Sequence, residues 1–186
     1  MKNGRLEIIL GCMYSGKSTE LLRRIRRYMS IGKKCVLLNH TIDARGQKEV
    51  LCHTTDRMDA IKIQSIGDMT FSNDVDVIGI DEAQFFPDII DSDTNILHPI
   101  LNKMLNQGVT IIVAGLHTDF RAQPFKQVIG LIPYASDVEW KTALCSMCSN
   151  GTPASFSKKI CGDTNKRIDS GADDKYRAVC RMHFLE

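Results

Sequence analysis

Residues 11–19 read Gly-Cys-Met-Tyr-Ser-Gly-Lys-Ser-Thr, a G-x-x-x-x-G-K-S spacing that very few folds can present usefully. The apolar residues Leu6, Ile8, Ile9 and Leu10 just before it read as a buried strand. After it, Leu21, Leu22, Ile25, Tyr28 and Met29 recur at helical spacing. A strand that hands a glycine-bearing turn to a helix N-terminus makes an anion cradle, because the helix start offers unpaired N–H groups and a positive dipole end. Gly11 and Gly16 permit backbone conformations that a Cβ would block. Lys17 can reach the outer phosphates of a nucleotide, and the Ser18 hydroxyl can hold Mg²⁺. The candidate phosphate-binding residues are therefore Gly11, Met13, Tyr14, Ser15, Gly16, Lys17, Ser18 and Thr19.

Downstream, short apolar runs rich in β-branched residues at Cys35–Asn39, Val75–Ile80 and Val109–Ala114 read as strands buried on both faces. Helices are expected over Ser18–Ile31 and Asn95–Gln107, with Pro99 able to move the second start to His98. Gly32 and Gly108 sit where helices terminate. This alternation over residues 1–140 predicts an α/β fold around a parallel sheet. The polar stretch from Asp43 to Thr55 has no period and reads as loop.

The run Val77-Ile78-Gly79-Ile80-Asp81-Glu82 is an apolar strand ending in an acidic pair. Ligands of open α/β sheets bind beyond the carboxyl ends of the strands. There Asp81 would meet the Mg²⁺ held by Ser18, and Glu82 is placed to remove a proton from a hydroxyl attacking phosphorus. Asp43 and Arg45 follow the second strand, at the same edge. A carboxylate there can order Mg²⁺-bound water and an arginine can offset phosphoryl charge; a salt bridge within the loop is an equal reading.

Past residue 140 the pattern changes. Cys145-Ser146-Met147-Cys148 and Cys180-Arg181-Met182-His183 form two C-x-x-[CH] knuckles separated by 31 residues. Three thiolates and an imidazole are a closed, tetrahedral zinc set, structural rather than catalytic. The seven cysteines are odd in number and unevenly spread, which disfavours a disulfide framework and points to a reducing, cytoplasmic setting. Cys161 is given no role. A net charge of +2 requires neither a nucleic-acid nor a membrane partner. Residues 1–10 show no secretory leader, and no apolar run is long enough to span a bilayer. Arg23, Arg24, Arg26 and Arg27 read as a solvated helix face.

Taken together, the P-loop with its following Glu20-Leu21-Leu22-Arg23-Arg24, Asp43-Ala44-Arg45, Asp81-Glu82-Ala83-Gln84-Phe85-Phe86, Gly115-Leu116-His117-Thr118-Asp119-Phe120-Arg121, Pro124-Phe125, the two zinc knuckles and Lys175-Tyr176 resemble the thymidine kinases of the cytosolic, zinc-containing type (type II). The resemblance implies Mg²⁺-dependent transfer of the ATP γ-phosphoryl group to the 5′-hydroxyl of thymidine, and of deoxyuridine. It implies Glu82 as general base with Arg45 assisting, and Ser18, Asp81 and Asp43 about the Mg²⁺. It places Met13, Phe85, Leu116, Phe120, Phe125, Ser157, Ile168, Gly171 and Tyr176 around the thymidine, under a zinc-held loop termed the lasso. It further implies one structural Zn²⁺, feedback inhibition by dTTP and a homotetramer. Cys12 stands where that family usually has Pro, His117 where Asp is common, and Ser157 where it has Thr. The fold expected is a P-loop (RecA-like) parallel-sheet domain over residues 1–140 with a zinc-binding lasso domain over 141–186. A competing class, a zinc-bearing P-loop ATPase acting on nucleic acid, is disfavoured by the near-neutral charge.

Overall fold

The computed structural model describes residues 4–43, 49–51, 57–91, 93–162, 167 and 175–186. Six strands build the central sheet: β1 (Arg5–Gly11), β2 (Cys35–His40), β5 (Ile61–Ile63), β6 (Val77–Ile80), β7 (Thr110–Leu116) and β8 (Asp137–Lys141). Their order is β5-β2-β6-β7-β1-β8, and every pairing is parallel. Parallel pairing sends all the carboxyl ends to one edge. There Gly11 registers with Leu116 on one side and with Lys141 on the other.

The period-two alternation of each strand splits its side chains between two cores. Leu6, Ile8, Leu10, Ile78, Ile80, Ile111 and Val113 face one core, with Phe86, Leu101 and Met104 covering them. Ile9, Leu37, Ile112 and Ala114 face the other, under Leu21, Leu22 and Ile25 of α1 (Lys17–Met29). Gly79 lets α1 lie close: a Cβ there would stand 2.4 Å from Ile25 Cδ1. Gly32 (φ 76°) and Gly108 (φ 86°) adopt the left-handed conformation just beyond α1 and α2 (Pro99–Asn106).

Several expectations shift. The helix expected over Asn95–Gln107 is confined to α2 (Pro99–Asn106), with the His98 imidazole accepting from Ile100 N as its cap. Proline at the first helical position fixes the start. Part of the stretch read as loop forms a strand: β3 (Glu49–Leu51) pairs antiparallel with β4 (Arg57–Asp59). Edge strands β5 and β8 lie outside the runs that read as strands; they are short or carry polar and charged residues, as edge strands do. Arg24 is no solvated-face residue. Its guanidinium, 13% exposed, binds Glu7 of β1, Glu20 of α1, and Asp137 and Glu139 of β8. It ties the outermost strand to the first strand and first helix. Arg23 also pairs with Glu20 at 2.6 Å.

After the sheet, β9 (Ala143–Leu144) pairs with β10 (Pro153–Ala154), and β11 (Phe156–Lys159) with β12 (Tyr176–Val179). The helix Arg181–Leu185 closes the chain, with Phe184 stacked on Phe156 at 4.5 Å between ring centroids. These ribbons share a third core, in which Cys12 of the P-loop sits among Ala143, Cys145, Ala154, Ala178, Val179 and Cys180. Among the described residues no helix is long and apolar enough to cross a membrane.

Candidate active site and metal centre

The turn from β1 into α1 is closed by its own side chains. Gly16 (φ 78°) and Tyr14 (φ 64°) adopt left-handed backbone conformations. The Cys12 carbonyl accepts from Ser15 Oγ at 2.8 Å and from Lys17 Nζ at 2.6 Å. Gly11 leaves no room for a side chain, since a Cβ would lie 2.5 Å from the Lys141 carbonyl and from Ser15 Oγ. The acidic pair comes from the end of β6, two strands away from β1 across β7. Asp81 is 2% exposed and accepts from Ser18 Oγ at 3.1 Å. A hydroxyl and a carboxylate that touch at the end of adjacent elements are a fitting pair of oxygen ligands for Mg²⁺. Glu82 follows in a left-handed conformation (φ 52°), which turns the chain sharply off the strand. Thr19, the third residue of α1, stands half-buried.

Asp43, beyond β2, is buried and held from two sides. Asn39 Nδ2 donates to its carboxylate at 3.0 Å, and Lys62 Nζ donates to its carbonyl at 2.8 Å. Arg45, expected beside it, lies outside the described residues, as do Ile168 and Gly171 of the expected base pocket.

The remaining pocket candidates are each held by a contact with another segment. Met13 N donates to the buried Ser157 Oγ at 3.0 Å, joining the P-loop to β11. Phe120 and Tyr176 face each other at 6.4 Å, with Lys159 Nζ over both rings. Leu116 N donates to the Gln84 side-chain carbonyl at 2.9 Å. Phe85 is half-buried with its ring 5.9 Å from His40. Phe125 is buried in the core, with the Arg167 guanidinium 4.6 Å above its ring. His117 meets the exposed Trp140 edge-to-face at 5.3 Å, and burial pushes its pKa down.

The two knuckles converge. One ligand atom from each of Cys145, Cys148, Cys180 and His183 lies within 4.8 Å of the others. Cys148 Sγ and Cys180 Sγ are 3.7 Å apart, and His183 Nδ1 stands 3.6, 3.3 and 3.5 Å from the three sulfurs. A tetrahedron with Zn–S of about 2.3 Å and Zn–N of about 2.0 Å has S···S edges of about 3.75 Å and S···N edges of about 3.5 Å. The donor set thus fits a four-coordinate zinc ion in kind, number and spacing. Burial pushes the Cys145 thiol up, but N–H groups of Cys148, Cys180 and Met147 more than offset it, leaving it at about 6. Burial and the neighbouring thiols push Cys148 up to about 11. Three thiolates this close repel one another unless a cation lies between them.

Three residues that the motifs did not single out take part. Gln84 donates to the Glu82 carboxylate while accepting from Leu116 N. Asn39 holds Asp43. Arg167 donates to Asp119 at 2.8 Å and to the Pro124 carbonyl at 2.7 Å, bracing the turn that carries Phe120 and Phe125. Gln84 lies within the quoted acidic-strand run and Asn39 ends an expected strand. Nothing local marks Arg167, whose partners are more than 40 positions away.

A family model described as thymidine kinase matches residues 4–184. The chain is similar to the thymidine kinase of Vaccinia virus (strain Western Reserve), 37% identical over 187 aligned positions that cover 100% of this chain and 99% of the relative. It is similar at 37% to the enzyme of Monkeypox virus, with the same coverage. To that of Yaba monkey tumor virus (strain VR587) it is 38% identical, over 100% of this chain and 97% of the relative.

Proposed function

The chain belongs to the thymidine kinase family, and on that premise we propose that it transfers the γ-phosphoryl group of ATP to the 5′-hydroxyl of thymidine, giving dTMP and ADP for pyrimidine deoxynucleotide salvage, with deoxyuridine as a second acceptor. The observation that carries this reading is the contact of Ser18 with Asp81, and the Gln84 amide bridging Glu82 and Leu116 N, at one edge of the sheet. Donor and acceptor elements meet there.

The P-loop residues 11–19 hold the triphosphate, with Lys17 against its outer oxygens. Ser18, Asp81 and Asp43 hold the Mg²⁺, whose bound charge offsets that developing on the phosphoryl oxygens. Glu82 takes the 5′-hydroxyl proton as that oxygen bonds to phosphorus and the bond to the β,γ-bridging oxygen breaks. Arg45 steadies the transferring group. Thymine lies against Met13, Phe85, Leu116, Phe120, Phe125 and Tyr176. Ser157 stands beside it, and main-chain groups about Ile168 and Gly171 read its edge. A neutral aromatic base suits apolar and aromatic walls with a few fixed hydrogen bonds.

Residues 1–140 form the nucleotide-binding unit. Residues 141–186 form the lasso unit, clipped by one structural Zn²⁺ on Cys145, Cys148, Cys180 and His183. The active form is a cytoplasmic homotetramer subject to feedback by dTTP. A coupled phosphorylation assay across thymidine, deoxyuridine, deoxycytidine and 5-substituted analogues tests the reading. Thymidine and deoxyuridine should react and deoxycytidine should not; turnover of single-stranded-DNA-stimulated ATP hydrolysis without nucleoside phosphorylation would refute it. In the same assay Glu82→Gln should lower kcat by roughly 10²-fold or more while leaving ATP affinity near normal.

A further inference from the structure

The Gln84 amide lies between the two halves of the site. Its side-chain carbonyl accepts from Leu116 N at 2.9 Å, and its NH₂ group donates to the Glu82 carboxylate. The two partners fix the orientation of the amide. A backbone N–H can only donate and an ionised carboxylate can only accept, so one arrangement alone satisfies both. The side chain is 2% exposed, which leaves water little access to substitute for either partner. Its main chain is fixed too, since Gln127 Nε2 donates to the Gln84 carbonyl at 2.7 Å. Gly115 provides the room: a Cβ there would crowd the amide oxygen at 3.2 Å. Glu82 itself is in a left-handed backbone conformation at the N-cap of the three-residue helical turn Ala83–Phe85, a short and sharply bent support for a group that must be aimed.

We propose that Gln84 is the positioning residue for the Glu82 carboxylate, holding it in register with Leu116, the wall against which the acceptor nucleoside rests. The inference deepens the assignment of Glu82 as general base and rests on it. In this role Gln84 acts through Glu82 and not on either substrate. A base held by a buried donor needs no search for its rotamer when the acceptor hydroxyl arrives, and misplacing it by about 1 Å costs on the order of 10²-fold in rate. Because the donor is anchored on Leu116 N, the aim of the base is set relative to the acceptor wall rather than to the P-loop. Loss of Gln84 therefore falls on kcat and leaves nucleotide affinity alone.

The test is a double-mutant cycle in the full-length, zinc-loaded enzyme: wild type, Gln84→Met, Glu82→Gln and the pair. Steady-state kcat and KM for ATP and thymidine are measured for each, and thermal melting checks the fold. Gln84→Met should lower kcat about tenfold or more with KM for ATP within about twofold. In the Glu82→Gln background the same change should cost less than about twofold, because there is no longer a base to aim. Gln84→Glu is the second variant should Gln84→Met melt early. It keeps the length and the acceptor for Leu116 N but presents a like charge to Glu82, and should also lower kcat. A full, additive loss on top of Glu82→Gln would overturn the positioning role while leaving the base intact. Normal kcat in either Gln84 variant would also overturn it. A Glu82→Gln enzyme with near-normal kcat would instead overturn the base assignment beneath it.

Discussion

Single residues at the P-loop do two jobs at once. Lys17 is buried and folds back onto the Cys12 carbonyl, so its ammonium is already delivered to the mouth of the loop. Lys17→Ala should weaken ATP binding and transfer together, and unchanged affinity in a nucleotide titration would count against the phosphate role. Glu20, one turn further on, is structural. The Arg23 guanidinium, with Arg24 beside it, holds its carboxyl at about 2, below the ordinary 4.5. A lowered native pKa means that the unfolded chain takes up the proton first. The stabilisation is complete above pH 4.5 and drains as pH falls from there toward 2. Thermal melting of Glu20→Gln against wild type should show the two curves converging below pH 4.5; a constant gap down to pH 2 would refute the linkage.

At the scale of elements, three hydrogen bonds among the described residues join the P-loop to the ribbons that carry the Cys/His cluster. Cys12 Sγ donates to the Ala154 carbonyl at 3.3 Å, Met13 N to Ser157 Oγ at 3.0 Å, and Tyr14 OH to the Tyr176 carbonyl at 3.3 Å. Cys12 is buried among the small residues of those ribbons, and burial pushes its thiol pKa up, so it acts here as a packed neutral side chain. Ser157→Ala leaves the Met13 N–H without that acceptor, a loss of about 1–3 kcal/mol where water cannot replace it. A fall in melting temperature with weaker ATP binding is the expected result. Chelating zinc, or Cys145→Ser, should abolish thymidine phosphorylation and lower ATP affinity as well, since the same ribbons hold the loop. Intact ATP affinity after chelation, read by titration, would show the two elements to be independent.

At the scale of the molecule, one parallel sheet separates two apolar layers, and its C-terminal edge collects the chemistry. The close seat of α1 depends on Gly79. Gly79→Ala puts a methyl into Ile25 and Leu37 and should cost about 1–3 kcal/mol by overpacking. The measurement is the urea midpoint. Much of this arrangement is legible locally. The interior strands β6 and β7 are near-continuous apolar runs, and β1 and β2 are apolar over most of their length, because both faces are buried; α1 carries its own period and terminating glycine. The edge strands β5 and β8 are not legible, because a strand with one neighbour needs no apolar run. Residues 49–51 carry no strand signal of their own, and their pairing with residues 57–59 is supplied by the partner strand.

The sequence by itself determined the glycine-bearing turn, the acidic pair and the Cys/His cluster, because each is a spacing along the chain that the chemistry of a phosphate or a metal would demand. The tertiary structure alone decided that Arg24 would leave the solvent to bind four carboxylates. It also decided that Cys12 and Met13 would lean on ribbons some 140 positions away, and that Gln84 would stand between Glu82 and Leu116. These are contacts between distant segments. The parallel register of β6, β7, β1 and β8 sets the Arg24 and Gln84 contacts, and the packing of the two antiparallel ribbons against the loop sets those of Cys12 and Met13; no local pattern of residues encodes either.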